Sequence, residues 1–121
     1  MLQMKILVVD DDAIVIKSCT RILESEGYAV STVRGADDAL EILRQDTFDL
    51  LLVDVKMPKR DGLDLMKEIR KDFPDLAVIV MSGYSTPETV ADALRSGANH
   101  FIAKPFRPDE LMKAVQQVLR K

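Results

Sequence analysis

Hydrophobic residues along the chain fall into two alternating patterns. Unbroken apolar runs occur at Ile6-Leu7-Val8-Val9, Leu50-Leu51-Leu52-Val53 and Ala77-Val78-Ile79-Val80-Met81. Each is too short for a helix, is bounded by charged or turn-forming residues, and predicts a strand buried on both faces. Two weaker runs, Ala29-Val30-Ser31-Thr32-Val33 and His100-Phe101-Ile102-Ala103, predict edge strands. Helical spacing fills the intervals: Val15, Cys19, Ile22 and Leu23; Ala36, Ala39, Leu40 and Leu43; Leu65, Met66, Ile69 and Phe73; Val90, Ala93 and Leu94; Leu111, Val115, Val118 and Leu119. The punctuation agrees. Ser85-Thr86-Pro87-Glu88 offers an N-cap, an early proline and a capping glutamate. Gly27 and Gly97 stand where glycine ends a helix, and Pro108-Asp109-Glu110 suits the first turn of the last one.

Five strand–helix units in strict alternation predict an α/β fold, a doubly wound parallel sheet with five flanking helices. The all-apolar runs belong in the centre and the second and fifth strands at the edges. Right-handed crossovers then favour the order 2-1-3-4-5. This is the flavodoxin-like arrangement, whose ligands bind where the order reverses, between strands one and three.

Composition narrows the setting. The 121 residues make one domain, 1–121, with no repeat or linker. No apolar run approaches the roughly 20 residues of a membrane helix, and the N-terminus lacks a signal-peptide pattern. A net charge of −3 disfavours direct nucleic-acid binding by this domain. Cys19 is the single cysteine, which excludes an internal disulfide or a cysteine zinc site and suggests a reducing, cytoplasmic setting.

The chemistry-bearing residues collect at the strand ends. Asp10, Asp11 and Asp12 follow the first strand, Asp54 closes the third, Ser82 follows the fourth and Lys104 the fifth. Singly, each has an ordinary reading as a turn former, helix cap or solvated side chain. Together they bring at least three carboxylates to the switch point, where like charges repel unless a cation joins them. Mg²⁺ takes oxygen ligands and one or two carboxylates plus a phosphate. Carboxylates for Mg²⁺, a further carboxylate, a hydroxyl and an ammonium are the parts for phosphoryl transfer onto an aspartate.

The ordered set Val8-Val9-Asp10-Asp11-Asp12, Val53-Asp54-Val55-Lys56-Met57-Pro58, Asp61-Gly62, Met81-Ser82-Gly83, Gly97-Ala98 and Lys104-Pro105-Phe106 resembles the receiver domain of two-component response regulators. The likeness runs from about Lys5 to the last helix. It implies that Asp54 is the phosphoacceptor, attacking a phosphohistidine on a sensor histidine kinase or histidine phosphotransfer domain. Mg²⁺ would be held by Asp11, by Asp10 through water, by Asp54 and by the backbone carbonyl of Lys56. Ser82 and Lys104 would bind phosphoryl oxygens, with a cis peptide before Pro105. Asp12 would support its neighbours or cap the first helix. On phosphorylation Ser82 would swing inward and Phe101, the switch aromatic, would rotate, reshaping the surface of the last two helices and fifth strand toward an output domain or target protein. The resemblance also allows a phosphorylation-dependent homodimer. Without it, Phe101 reads equally well as a packed edge-strand side chain.

Other residues carry weaker expectations. Lys56 should overhang the site and alter the lifetime of an acyl phosphate, or be a solvated loop lysine; Lys59 and Arg60 add to that loop's positive charge. Tyr84 could cover the crevice or meet a partner. His100 is most simply an edge-strand side chain and Cys19 a small buried hydrophobe. Two other classes compete. A phosphatase resembling the haloacid dehalogenases fits Asp10-x-Asp12 but gives Asp54 no role. A phosphorylation-independent interaction domain would not need Asp10, Asp11, Asp54, Ser82 and Lys104 together. A flavin-binding reading lacks a phosphate loop after the first strand.

Overall fold

Strands of continuous apolar sequence need cover on both faces, and the three such runs form the centre of the sheet. The computed structural model describes residues 3–57 and 60–119, with the side chains of 56–63 outside the described set. The elements follow as β1 (Lys5–Val9), α1 (Ala13–Ser25), β2 (Ala29–Val33), α2 (Ala36–Gln45), β3 (Leu50–Asp54), β4 (Lys56–Met57), β5 (Arg60–Asp61), α3 (Gly62–Asp72), β6 (Ala77–Ser82), α4 (Pro87–Arg95), β7 (His100–Ala103) and α5 (Pro108–Leu119). The main sheet has five strands in the order β2-β1-β3-β6-β7, every pair parallel. This is the predicted 2-1-3-4-5 arrangement, with the two half-exposed strands at its edges.

Side-chain alternation along the strands divides the core into two layers. Leu7, Val9, Leu51, Val53, Val78 and Val80 face α2, α3 and α4. Ile6, Val8, Leu50, Leu52, Ile79 and Met81 face α1 and α5, where Cys19, Leu23, Leu111 and Val115 meet them.

Helix ends follow the chemistry of their first turns. Asp12 caps α1, its carboxylate accepting the Ile14 N–H at 2.9 Å. At α5 the Glu110 carboxylate reaches back to the Arg107 N–H at 2.8 Å, satisfying a donor the helix cannot. Gly27 and Gly97 have φ of +91° and +108°, the left-handed conformation expected just past α1 and α4.

Three local readings need correction. Within Ser85-Thr86-Pro87-Glu88 the cap of α4 is Thr86, accepting the Thr89 N–H at 3.2 Å, and Pro87 opens the helix as expected, but Thr89 and not the expected capping Glu88 occupies the third helical position. Leu94 was expected on the apolar stripe of α4, yet it is 46% exposed, and Ala93 is the helix's one fully buried side chain. A short helix lying over a sheet edge buries a narrower stripe than one lying over its centre. Finally, 56–61 contains a small antiparallel pair, β4 with β5, where only a loop was expected.

Candidate functional site

Register alone sets the site's first dimension. Val9 lies opposite Val53, so Asp10 comes level with Asp54; Asp54 lies opposite Met81, the neighbour of Ser82; and Ser82 lies opposite Ala103, the neighbour of Lys104. The backbone continues this pairing past the strands, with the Lys104 N–H donating to the Ser82 carbonyl at 2.8 Å. Alternation sets the second dimension. Asp10, Asp54 and Lys104 share the parity of the layer facing α1 and α5, whereas Ser82 and Phe101 share that of the layer facing α2, α3 and α4.

The acid pair is deeply placed. Asp10 is fully buried and Asp54 is 5% exposed. Lys104 Nζ donates to Asp10 Oδ2 at 2.7 Å and lies 3.2 Å from Asp54 Oδ2. The other Asp10 oxygen accepts the Asp12 N–H at 2.9 Å, which fixes the carboxylate at both ends. Burial works to lower the Lys104 pKa, but its hydrogen bond to Asp10 and the charges of Asp54 and Asp10 outweigh burial, and the net shift is upward. The lysine therefore stays an ammonium.

Asp10, Asp11 and Asp54 each present a carboxylate oxygen, and these oxygens lie within 4.8 Å of one another. Against the single ammonium they leave a surplus of negative charge, and all three donors are hard oxygens. The donor set therefore fits a hard divalent cation such as Mg²⁺. Asp11 is held by a contact the sequence did not suggest: Arg34, just past β2, donates to the Asp11 carbonyl at 2.8 Å. The pairing of Val9 with Val33 brings Arg34 level with Asp10, so strand register was the signal that could have found it.

The remaining predicted residues divide. Ser82 is fully buried, and its hydroxyl accepts the Tyr84 N–H at 2.9 Å. Tyr84 itself is mostly exposed at the rim. Phe101 is half-buried against the layer that faces α4. The Lys104–Pro105 peptide is cis. His100 is half-buried on the edge strand β7. Lys56 opens β4, with its backbone opposite Asp61, but its side chain lies outside the described residues, as do Pro58 and Lys59 and the side chain of Arg60. Cys19 lies in the layer beneath the acids. Burial, aided by the charge of Asp10 and opposed by Lys104, pushes its thiol up to about 12.

Comparison with known proteins agrees with this fold. The family model of the response regulator receiver domain matches residues 6–116. The transcriptional regulatory protein ZraR of Escherichia coli is 39% identical over 117 residues, covering 94% of this chain and 26% of that protein. The receiver domain protein of Methanospirillum hungatei, described as CheY-like, superposes with a TM-score of 0.92 at 33% identity, covering 98% of this chain and 94% of that one. The beryllofluoride-activated NtrC4 receiver domain dimer has a subunit that superposes with a TM-score of 0.90 at 31% identity, covering 95% of both chains. The chain spans about a quarter to a half of the length of the curated regulators it matches. No helix among the described residues is long and apolar enough to cross a membrane. With a match that runs from β1 into α5, the chain belongs to the response regulator receiver domains, the phosphoryl-accepting signalling modules of two-component systems.

Proposed function

We propose that Asp54 is the phosphoacceptor of this receiver and that residues 1–121 act as one receiver domain. The observation that carries the reading is the Lys104 ammonium, delivered from the end of β7 and held between Asp10 and Asp54 at the ends of the neighbouring strands β1 and β3. A donor phosphohistidine presents its phosphorus to an Asp54 carboxylate oxygen. The new P–O bond forms as the P–N bond breaks, and the departing electron pair returns to the donor imidazole. Lys104 follows the charge from the carboxylate onto a phosphoryl oxygen, which it can do with little movement because its Nζ is already 3.2 Å from Asp54. Ser82 gives up the Tyr84 N–H and donates its hydroxyl to a second phosphoryl oxygen. Attack of water on the acyl phosphate later restores the Asp54 carboxylate and releases inorganic phosphate.

Asp10, Asp11, Asp54 and the Lys56 carbonyl are the groups that would hold Mg²⁺, which when bound offsets negative charge on the transferring phosphoryl group. The partners of this reading are a sensor histidine kinase or histidine phosphotransfer domain upstream and an output domain or target protein downstream, with the receiver itself in the cytoplasm. Movement of Ser82 frees space on the α4 side of the sheet, where Phe101 already lies. The exposed surface of α4, β7 and α5 then changes partner affinity and can favour a homodimer. Lys56 sits two residues past the acceptor and sets the lifetime of the acyl phosphate.

Mass spectrometry after incubation with acetyl phosphate and Mg²⁺ tests the reading. One labile adduct of phosphate mass is expected on the parent chain and none on Asp54→Asn. An adduct that survives Asp54→Asn but is lost in Asp10→Asn would favour the phosphatase-like alternative. No adduct on the parent chain would leave the interaction-domain reading.

A further inference from the structure

The two ends of α4 are held very differently. Its N-terminal end continues from the Ser82–Tyr84 turn through residues 83–88, all exposed, and is secured by the Thr86 cap. Its C-terminal end is tied to another part of the molecule by Arg70, on the last turn of α3. The Arg70 guanidinium donates to the Gly97 carbonyl from both Nε (3.0 Å) and Nη2 (2.7 Å), and to the Asn99 side-chain oxygen at 3.1 Å. Its Nη1 donates to the carbonyls of Phe73 and Leu76, at 3.2 and 2.6 Å. Asn99 completes the join, for its Oδ1 accepts the Val78 N–H at 2.8 Å while its own N–H donates to the Val78 carbonyl. The planar, five-donor guanidinium thus gathers carbonyls from the end of α3, the approach to β6 and the α4–β7 turn.

Gly97 is shaped to this arrangement on two counts. Its φ of +108° is one an L side chain rarely adopts, and a Cβ there would lie 2.7 Å from Arg70 Cγ. The Gly97-Ala98 motif is therefore the seat of Arg70 as well as the end of a helix.

We propose that Arg70 is the pin of α4: it fixes the C-terminal end of the helix to α3 and β6, so that displacement of the Ser82 turn swings the N-terminal end about a stationary one. The swing rests on the phosphoryl-acceptor reading of Asp54, whereas the pin can be tested without it. Arg70 is a positioning residue and touches no reacting atom.

Amide hydrogen exchange on the 121-residue chain separates the two. Without ligand, Arg70→Ala is expected to speed exchange at Val78, Gly97, Ala98 and Asn99 about tenfold, with Leu7 and Leu51 in the central strands unchanged. Arg70→Lys, which keeps the charge but has a single donor group, should fall between and serves if Arg70→Ala does not fold. Equal exchange in the variants and the parent chain, or loss of protection spread evenly through the central strands, would overturn the pin. With beryllofluoride and Mg²⁺, the parent chain should change exchange at residues 83–90 and not at 97–99, and Arg70→Lys should extend the change to 97–99. A parent-chain change as large at 97–99 as at 83–90 overturns the swing. No change at any residue overturns the phosphoryl-acceptor reading and the swing together, while the unliganded comparison still decides the pin.

Discussion

The α1–α5 side of the sheet and the α4 end of the other side are ordered to different degrees. On the first, Asp10, Asp54 and Lys104 lie directly above a layer of fully buried side chains that includes Cys19, Leu23, Leu111 and Val115. On the second, α4 buries Ala93 and leaves Leu94 in solvent, and the Ser82–Tyr84 turn leads into it through exposed residues. Chemistry that needs fixed geometry occupies the stiff side, and the surface suited to change occupies the loose one. Close-packed interiors resist displacement, while helices with few buried contacts open locally at low free-energy cost.

The largest break in that contrast comes from Lys104. In Lys104→Met two buried carboxylates lose their cation, and breaking such a buried pair costs about 3 kcal/mol. Removing one charged phosphoryl contact should also slow adduct formation on Asp54 by about 10²-fold. Urea unfolding and timed mass spectrometry read the two effects separately. A stability loss below about 0.5 kcal/mol, the range of ordinary surface substitutions, would mean that the crevice is wetter than its burial implies.

The loose side has its own internal test. Ala93→Leu forces a large side chain against β7 and α3 and should destabilise the fold by about 2 kcal/mol. Its neighbour Leu94, already 46% exposed, should tolerate Leu94→Ala within about 0.5 kcal/mol. Similar losses at both positions would mean that α4 packs more broadly than described.

This pair also marks where the sequence stopped being legible. The sheet order was readable because β1, β3 and β6 are apolar without interruption, a pattern that only a doubly covered strand tolerates. The positions of Asp10, Asp54, Ser82 and Lys104 were readable because each lies at a strand end. Val90, Ala93 and Leu94 fit a helical stripe equally well whether two or three of them face inward, so periodicity could not place Leu94. The β4–β5 pair has strands of two residues, too short to display an alternation. Arg70 was invisible for a different reason: most of its partners are backbone carbonyls, which every residue carries. Residue type does not advertise such a contact; only the fold does.

A smaller effect probes the acids directly. Mg²⁺ at ten times its Kd should stabilise the chain by about 1.4 kcal/mol if it binds the folded form alone. Thermal melting reads this shift, and Asp11→Ala should abolish it, since one of the three clustered carboxylates is then missing. An equal shift in Asp11→Ala would place cation binding outside the crevice.

The smallest effect tests the stiffness of the layer beneath the acids. The Cys19 thiol is pushed from 9.0 to about 12, by burial first and by the charge of Asp10 second, so the unfolded chain releases this proton at lower pH than the folded one. Between those values the folded state binds more protons, and stability must fall as pH rises. The contribution is intact well below pH 9 and by pH 9.5 has dropped by about 1 kcal/mol. Lys104 does not confuse the decline up to pH 9.5. Its pKa is raised above the usual 10.5, so its stabilising charge is still complete there. Urea unfolding at pH 7.5 and 9.5 should therefore show the decline in the parent chain and a smaller one in Cys19→Ala, which has no thiol to titrate. If both chains decline equally, the thiol is reached by solvent in the folded state, and the layer under Asp10 is no stiffer than the helix on the other side of the sheet.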